Sequence, residues 1–416
     1  MRFWRRLDNA AKIFPSAANG HDTNVFRIYC ELNECVDKVF LQNALDKVIA
    51  EFPVFRSVMK KGLFWYYLEE SDILPMVKEE RESPCSKIYD KDVKKLLFRV
   101  TYFEKRINLD VYHVLADGTG AEEFLKVLVS NYLCLKYKIN VEYLNLDFDS
   151  SVFQKADDSY MKFYEKDKSK NVGLKRAYKI KGLKTYNKNL KVIEGRMSSR
   201  AVLDKAHEYN ATVTSFITGV LLKAIYDNMS IMERDRPVVV SIPVNLRKFF
   251  DSASVRNFFG VVFLSYDFRK ESIELGNIIK FADNFLKKEL SGEKIKLRMN
   301  ALIGVERNVV IRMIPLLLKN FVLGNVFKMS EKKETTNISN IGKIDMPDEL
   351  KKYIHSFGLL VATNKLQLGI CTFDDVLTIS FSSCFFNTDI ERCFFRLLTE
   401  MGINIEVVAN YIEGQV

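Results

Sequence analysis

Histidine is scarce in this sequence. Only four of its 416 residues are histidines, and no His-Glu-x-x-His pair is present. The seven cysteines are odd in number and scattered, and no two of them form a Cys-x-x-Cys pair. These absences argue against a zinc site and against a framework of disulfides. We therefore expect no metal, no permanently bound cofactor and a location in the reducing cytoplasm.

An uninterrupted apolar stretch of membrane-spanning length is also missing. The longest apolar run, residues 309–327, contains Arg312, Pro315 and Lys319, whereas a membrane span needs about 20 residues with few or no charges. We expect one or two amphipathic helices that pack on the body of the protein and could wall a hydrophobic cavity. The basic N-terminus precedes no apolar segment typical of a signal peptide. Weak peripheral contact is the most that we expect with a membrane.

Acidic residues are fewer than basic ones, 53 against 63, which gives a net charge of +10. Such a charge suits a nucleic acid, an anionic membrane surface or an acidic small ligand. The densest basic segment, residues 166–191, contains no nucleic-acid-binding motif, and we predict no nucleic-acid partner. We expect a solvated linker there, and the alternative is a binding segment for a phosphate-bearing cofactor.

Helices and strands are mixed in both halves of the sequence. Apolar periods of 2 and 3.6 residues distinguish them. The last helix is predicted to begin with a capping box formed by Thr388 and Glu391. The other predicted elements are strands over 23–32, 106–115, 236–246 and 259–268, helices over 41–53, 120–137, 198–210 and 212–229, and a hairpin over 366–386 that turns at Asp374-Asp375.

This mixture predicts an α/β protein of the α+β kind, with mixed sheets covered by helices in two lobes. Neither a dinucleotide-binding glycine motif nor a P-loop is present. The basic segment has the composition of a boundary. We therefore predict an N-terminal lobe over residues 1–165, a linker over 166–195 and a C-terminal lobe over 196–416.

One histidine lies where a predicted strand meets a predicted helix. Alternation places His113 on the same inward face as Leu109 and Val111, and the chain then turns through Asp117-Gly118 into the helix. Partial desolvation keeps an imidazole neutral, as a general base near pH 7 requires. Such a histidine is more often an ordinary core residue, and Asp-Gly is by itself only a turn signal. The local pattern leaves both interpretations open.

The segment His113-x-x-x-Asp117-Gly118 resembles the active-site motif of the chloramphenicol-acetyltransferase-like, or condensation-domain, superfamily of acyltransferases. The longer match HVLADGTGAEEFLKVL is similar to the bacterial alcohol acetyltransferase group within it. Many members have a second histidine where Tyr112 stands, and the Asp-Phe-Gly-Trp-Gly motif of the plant branch is absent. Further segments also resemble the group: residues 6–17 (an N-terminal signature), 51–57 (an arginine motif at a helix end), 243–266 (an Asn-x-Arg and Gly-Phe segment), 339–347 and the last 50 residues.

The resemblance implies a two-lobed fold with a central tunnel, in which coenzyme A and the acceptor enter from opposite sides. It implies that His113 is the general base and that no acyl-enzyme forms. Asp117 would pair with an arginine, for which Arg56 matches the family position, and would hold the histidine loop. Gly118 would allow a tight turn there. For the oxyanion we favour a donor in the loop that contains Ser339 and Asn340, where ordinary turn chemistry is the alternative.

The function expected from this resemblance is a cytoplasmic, monomeric acyltransferase. Acyl-CoA, specifically acetyl-CoA, would be the co-substrate, and a small-molecule alcohol or amine would be the acceptor, with the alcohol preferred. The nearest alternative is an N-acyltransferase or a condensation-type enzyme that uses a carrier-bound acyl donor. More distant alternatives are an inactive binding relative and a protein that binds membranes or nucleic acids through its positive charge.

Overall fold

The computed structural model describes residues 4–17, 22–140, 160, 176–185, 189–307 and 313–410. The strands are β1 Trp4–Arg6, β2 Val25–Leu32, β3 Ser57–Lys61, β4 Tyr66–Glu70, β5 Lys78–Glu79, β6 Phe98–Phe103, β7 Arg106–Tyr112, β8 Lys191–Ser198, β9 Val238–Asn245, β10 Phe259–Tyr266, β11 Thr336–Ile344, β12 Ile354–Val361, β13 Leu366–Phe373, β14 Val376–Ser383 and β15 Ile405–Ala409. The α-helices are α1 Phe14–Ala17, α2 Lys38–Glu51, α3 Gly118–Tyr137, α4 Ser199–Glu208, α5 Val213–Asp227, α6 Leu275–Glu289, α7 Gly292–Arg307, α8 Leu316–Glu331, α9 Asp348–Lys351 and α10 Asp389–Glu400.

The N-terminal sheet has five strands in the order β12-β2-β7-β6-β5. Its neighbours are antiparallel, except that β5 runs parallel to β6. Helix α3 packs on β2 and β7, and α2 packs on α3. Their facing side chains form one core, in which the rings of Phe52, Phe55, Phe98 and Phe124 contact one another. The strands and helices predicted for this half of the sequence are confirmed.

The C-terminal sheet has seven strands in the order β10-β9-β11-β13-β14-β8-β15. Only the pairs β9–β11 and β11–β13 are parallel among its described strands. Helix α5 packs against α4, α6 and α10, and these helices and the sheet enclose a second core. The predicted hairpin is confirmed: β13 and β14 are joined by a turn in which Asp374 has a φ of 49°. A smaller antiparallel sheet, β1-β4-β3, shares no strand with either, and its residues Val58 and Leu68 pack into the core of the N-terminal sheet.

The N-terminal sheet contains one strand from the other half of the chain, β12. This strand lies in the C-terminal half of the chain, but it pairs with β2 at the edge of the N-terminal sheet. The predicted C-terminal lobe, residues 196–416, therefore does not coincide with the C-terminal sheet and its helices, because residues 354–361 belong to the N-terminal sheet. The end of the predicted linker also differs, since Lys191–Ser198 forms β8. Residues 166–175 and 186–188 of that linker lie outside the described residues.

The two sheets are joined by buried charged groups. The hydroxyl of Tyr29 on β2 donates to the carboxylate of Glu194 on β8 (2.6 Å). Arg106 on β7 donates to Glu194 and to Glu31 (both 2.6 Å), and Arg196 on β8 donates to Glu31. Buried charges need such partners because an unpaired charge in a protein interior is strongly unfavourable. The network therefore fixes how the N-terminal sheet packs against β8.

The predicted capping box at the last helix is wrong. Thr388 is the N-cap residue of α10, but its side chain makes no capping hydrogen bond. The carboxylate of Glu391 points inward instead, 3.1 Å from the ammonium group of Lys191, and both side chains are buried. Glu391 thus neutralises a buried lysine of β8, a role that its sequence spacing does not distinguish from capping.

The apolar run at 309–327 also differs from expectation. Its described part forms α8, which begins directly after Pro315. The side chains of Leu317 and Phe321 are exposed, whereas Lys319 is buried. The expected helix is confirmed and packs on the body through α1, but most of its apolar side chains face away from the body, and Arg312 lies outside the described residues. None of the helices in the described ranges is long and apolar enough to cross a bilayer.

Candidate active site

His113 follows the last residue of β7 and lies between the two lobes. Its backbone N–H donates to the carbonyl of Asn24 (2.9 Å). Three rings surround its imidazole: Phe14 of α1 is stacked on it with centroids 4.5 Å apart, and Phe26 of β2 and Phe259 of β10 lie at 5.0 and 5.5 Å. Desolvation by these groups lowers the pKa of His113 below its usual value of 6.5. The imidazole is therefore neutral at pH 7.

The side chain of Asn257 determines which imidazole nitrogen carries the proton. Its Nδ2 donates to the backbone carbonyl of His113 (3.0 Å) and to the carboxylate of Asp8 (3.2 Å). Its Oδ1 therefore faces Nδ1 of His113, at 3.0 Å. An amide oxygen only accepts hydrogen bonds, so Nδ1 must be protonated. Nε2 then holds the free lone pair, and it is the nitrogen that can accept a proton.

Asp8 is a fully buried carboxylate behind Asn257. It also accepts from the backbone N–H of Ala11 (2.8 Å), and the guanidinium of Arg256 lies 3.7 Å away. Arg256 in turn donates to the carbonyl of Arg6 (2.6 Å). The N-terminal segment is thus bound to the chain that precedes β10. Asp8 and Phe14, which both act on His113, come from this one segment, residues 6–17.

Asp117 is the N-cap of α3 and is almost fully buried. One carboxylate oxygen accepts from the N–H of Gly120 (3.0 Å), and the other accepts from the N–H of Phe258 and from Arg247 (both 2.8 Å). Asp117 thereby ties the loop after His113 to the segment that precedes β10. Arg247 is the arginine of the Asn-x-Arg segment noted in the sequence.

The expected pairing of Asp117 with Arg56 is wrong. Arg56 ends a short 3₁₀ helix, Pro53–Arg56, and its carbonyl accepts from the N–H of Ser71. None of the described hydrogen bonds or ion pairs joins it to Asp117, and its buried Nε makes no hydrogen bond with the described residues. Arg247 reaches Asp117 because the 3₁₀ turn after β9 directs it back toward the start of α3.

In the Asp-Gly-Thr-Gly turn, the tightly packed glycine is the second one, Gly120. A Cβ atom on Gly120 would lie 1.8 Å from the carbonyl oxygen of Val255. A Cβ atom on Gly118 would meet only a methyl group of Ile341, at 3.2 Å, and Gly118 is not among the described residues with positive φ. The structural need for glycine is therefore stronger at 120 than at 118.

Ser339 and Asn340 lie next to each other on β11, but they face different ways. Asn340 donates to the hydroxyl of Thr214 at the start of α5, and its oxygen accepts from the N–H of Gly342. Ser339 pairs in register with Gly369, whose missing Cβ would point at the carbonyl of Leu359 on β12. Paired residues in a ladder share a face, so Ser339 faces the N-terminal lobe, and Asn340 faces α5.

A cavity of about 570 Å³ opens near the start of β11 and is lined largely by lysines. Glu331 is the one carboxylate among its described lining residues. Burial, together with the charge of Lys365, lowers the pKa of Lys179 to about 8. Part of this site could be found from the sequence, since three of its lysines belong to the basic segment, residues 166–191. We call it the lysine pocket and define it by Lys179, Lys181, Lys184, Lys328, Lys332 and Lys365.

A short segment connects the lysine pocket with His113. The carboxylate of Asp22 accepts from the N–H of Asn24, and the carbonyl of Asn24 accepts from the N–H of His113. Burial raises the pKa of Asp22 to about 7, and the charges of Glu331 and Lys365 of the pocket wall also act on it. The pocket therefore lies close to the segment that positions the histidine.

Solved structures share this architecture over the whole chain. TRI101 of F. graminearum, solved with ethyl coenzyme A, is 10% identical over 97% of this chain and 100% of its own, with a TM-score of 0.64. The trichothecene 15-O-acetyltransferase TRI3 of Fusarium sporotrichioides is 9% identical over 96% and 94%, with a TM-score of 0.62. The first condensation domain of the calcium-dependent antibiotic synthetase is 12% identical over 96% of each chain, with a TM-score of 0.60.

The protein has the chloramphenicol-acetyltransferase-like fold. This confirms the fold predicted from the sequence motifs. At these identities the likeness concerns the fold alone. The sequence matches no protein-family model and no curated protein.

Several residues of the site were not identified from the sequence. Arg247, Asp8 and Phe14 lie in segments that resemble the chloramphenicol-acetyltransferase-like group, and this resemblance is a signal that could have found them. Asn257 lies in one of these segments too, residues 243–266, but only the folded chain shows that it reaches His113, 144 residues away. Among the described residues no three His, Cys, Asp or Glu side chains are grouped as metal ligands would be.

Proposed function

We propose that the protein is an acyltransferase that moves an acyl group, specifically acetyl, from coenzyme A to the hydroxyl of a small-molecule alcohol. The observation that carries this proposal is the imidazole of His113, neutral and hydrogen-bonded through Nδ1 to Asn257, with its Nε2 lone pair free. A general base that works near pH 7 needs this protonation state. The fold, which TRI101 and TRI3 share, supports the same class of reaction.

In the proposed reaction, Nε2 of His113 takes the hydroxyl proton while the acceptor oxygen attacks the thioester carbonyl. A C–O bond forms, and the carbonyl oxygen becomes the oxyanion of a tetrahedral intermediate. The intermediate collapses by breaking the C–S bond, and the imidazolium returns its proton to the departing thiolate. The products are the ester and free coenzyme A, and no acyl-enzyme is formed.

The oxyanion needs a hydrogen-bond donor about 3 Å away. We propose the hydroxyl of Ser339, because this side chain faces the N-terminal lobe on the same strand as Ile341, which packs beside Gly118. Asn340 is less suited, since its amide is engaged with Thr214 and Gly342. Of the two candidates from the sequence, the geometry favours Ser339.

Asp117 acts in this proposal as a positioning residue. Its carboxylate is directed at Gly120, Phe258 and Arg247, so it holds the loop between β7 and α3 against the start of β10. It therefore orients His113 without exchanging protons.

The phosphates of coenzyme A are assigned in the same proposal to the lysine pocket. Charge-assisted hydrogen bonds from ammonium groups to phosphate are stronger than neutral ones. Lys179, Lys184 and Lys365 belong to segments other than α8 and line this cavity. TRI101 has also been solved in complex with coenzyme A and deoxynivalenol, so one protein of this fold holds both molecules at once. We also propose that a tunnel runs between the two lobes of this protein and that the two substrates meet in it at His113.

A second candidate function is condensation with a carrier-bound acyl donor. The observation that favours it is the match to the condensation domain, which has nearly the same TM-score as the acetyltransferases. An amine acceptor would then give an amide. The seven cysteines are free thiols and suit a reducing compartment, so we place either reaction in the cytoplasm, carried out by a monomer.

The test is release of free thiol by purified protein supplied with acetyl-CoA and a panel of alcohols and amines. We expect acceptor-dependent release with an alcohol, and its loss in His113→Ala. Release with amines alone would favour the N-acyltransferase. Acceptor-dependent turnover only with a carrier-bound donor would favour condensation. If wild-type and His113→Ala proteins show the same slow hydrolysis with every donor and acceptor, the proposal is wrong.

A further inference from the structure

Six exposed apolar residues lie on the outer side of α8 between residues 317 and 329, with Asn325 exposed among them. Each is three or four positions from another of the six, so they lie on a single side of the helix. Phe321 in their middle is 72% exposed. Contiguous apolar surfaces of this kind mark contacts with other proteins or with membranes. We call this surface the apolar face of α8 and define it by Leu317, Leu318, Phe321, Val322, Val326 and Met329.

The orientation of the helix is set by a buried lysine on its opposite side. The ammonium group of Lys319 lies 3.3 Å from the ring centroid of Trp65 and donates to the carbonyl of Phe64 (3.1 Å). Asn320 donates to the hydroxyl of Tyr66 (3.0 Å). A helix oriented by apolar burial alone would be rotated the other way. These polar contacts therefore hold the apolar residues outward.

Cationic side chains lie at both ends of the apolar face. At the end near Leu316, the turn between β3 and β4 presents Lys61 and Leu63, both exposed, and the carbonyl of Leu63 accepts from the N–H of Leu316. At the other end, Lys328 and Lys332 are exposed seven and eleven residues after Phe321, on the same side of the helix. The surface is therefore apolar in the middle and cationic at its ends.

We propose that the apolar face of α8 is a docking surface for an anionic membrane. The helix would lie in the plane of the interface, with its apolar side chains among the acyl chains and Lys61 and Lys328 at the level of anionic headgroups. A second copy of the chain fits less well. A two-fold contact would place the cationic end of one helix against the cationic end of the other.

The helix that carries the docking surface contacts α1, the short helix that packs on His113. Asn320 of α8 accepts from the hydroxyl of Ser16 of α1 (3.3 Å), and the backbone of Gly324 approaches the carbonyl of Ser16. Phe14 of the same α1 is stacked on the imidazole of His113. Docking would therefore place the bilayer on the outer side of the helix whose inner side contacts α1, the element that covers the histidine.

The experiment is flotation of the full-length protein with vesicles, and it requires no catalytic activity. One vesicle type is phosphatidylcholine alone, and the other is an equimolar mixture with phosphatidylserine. We expect flotation with the mixed vesicles and at least about tenfold weaker partitioning into phosphatidylcholine. The double variant Leu317→Asp/Phe321→Asp should partition at least about tenfold more weakly. Met232→Asp is the matched control, since Met232 is an exposed apolar residue elsewhere on the surface.

The cationic ends are tested by Lys61→Glu/Lys328→Glu, which should lower partitioning into mixed vesicles by more than about tenfold. Its control is Lys47→Glu/Lys288→Glu, a pair of exposed lysines on α2 and α6. Thermal melts of all variants report whether each is folded. All of these positions are exposed.

Three results would overturn the membrane proposal. The first is that wild-type protein fails to float with either vesicle type. The second is equal flotation of Leu317→Asp/Phe321→Asp and wild type. The third is a wild-type dimer in lipid-free sedimentation that this variant converts to a monomer, because the occupant of the face would then be a second copy.

Discussion

The amide of Asn257 joins the buried carboxylate of Asp8 to the imidazole of His113. Nδ2 of Asn257 lies 3.2 Å from Asp8 and 3.0 Å from the carbonyl of His113, and its Oδ1 lies 3.0 Å from Nδ1 of the ring. A neutral amide stands between the carboxylate and the imidazole. It fixes the tautomer of the base and, being uncharged, raises the pKa of His113 less than a directly bonded carboxylate would.

Replacing Asn257 by Asp should therefore change the pH dependence of the reaction. A carboxylate at 3 Å stabilises the imidazolium, so it raises the pKa of His113. The acid limb of kcat/KM should move to higher pH in Asn257→Asp, and the rate at the plateau should change less than in Asn257→Ala. The measurement is kcat/KM against pH for both variants. An unmoved acid limb in Asn257→Asp would show that Asn257 does not control the base.

The wild-type protein should itself keep the proposed activity below pH 6.5, the usual pKa of histidine. Desolvation lowers the pKa of His113 from 6.5, so the neutral base persists as the pH falls. We expect the midpoint of the acid limb of kcat/KM below pH 6.5, with a plateau above it. His113→Ala should lower the plateau by about 10²–10⁴-fold. A midpoint above pH 6.5 would be incompatible with a desolvated base.

Unfolding measurements test directly that Asp117 pairs with Arg247 and not with Arg56. Arg247→Ala would leave the carboxylate of Asp117 buried without its counter-ion, at a cost of about 3 kcal/mol in the free energy of unfolding. Arg56→Ala breaks no pair with Asp117 and should cost clearly less. Urea denaturation of both variants measures the difference. Equal losses, or a larger one for Arg56→Ala, would contradict this assignment.

The two glycines of the turn should tolerate alanine very differently. In Gly120→Ala the new methyl would lie 1.8 Å from the backbone oxygen of Val255, which cannot move without displacing the strand that follows. Gly118→Ala meets one side-chain methyl at 3.2 Å, which can shift. We expect Gly120→Ala to lose at least about 3 kcal/mol or fail to fold, and Gly118→Ala to keep a Tm near that of wild type. Thermal melts compare the two.

If the lysine pocket binds the phosphates of coenzyme A, replacing its lysines should change only the KM for acetyl-CoA. Lys184→Ala and Lys365→Ala should each raise the KM for acetyl-CoA by about tenfold, with kcat and the KM for the acceptor nearly unchanged. Added salt should raise the KM of the wild type more than that of the variants. Lys47→Ala, on the exposed side of α2, is the control. An unchanged KM for acetyl-CoA in both pocket variants would place the phosphates elsewhere.

The local elements could be predicted from the sequence because their patterns are local. The alternation in β2 and the apolar stripe of α3 each reflect one buried side, and the turn at Asp374 follows from its residues. His113 and Asp117 were found in the same way, as residues of one short motif. The resemblance of several segments in order then gave the fold.

The remaining features depend on contacts between distant parts of the chain. The pairing of β12 with β2, the reach of Asn257 to His113 and the choice of Arg247 over Arg56 involve residues that no periodicity connects. For α8 the sequence shows an apolar stripe but not which way it faces, and the contact of Lys319 with Trp65 decides this. Glu391 of α10 is a similar case, because its buried partner, Lys191, lies on β8, about 200 residues earlier in the chain.

The position of β12 also bears on how this chain can fold during synthesis. The edge of β2 has its partner only in residues 354–361, so the first sheet lacks one strand until most of the chain has left the ribosome. An unpaired apolar strand edge favours aggregation, and long-range pairing is slow. The N-terminal sheet is therefore completed only late in synthesis, and a chain truncated before residue 354 would leave this edge of β2 without its partner strand.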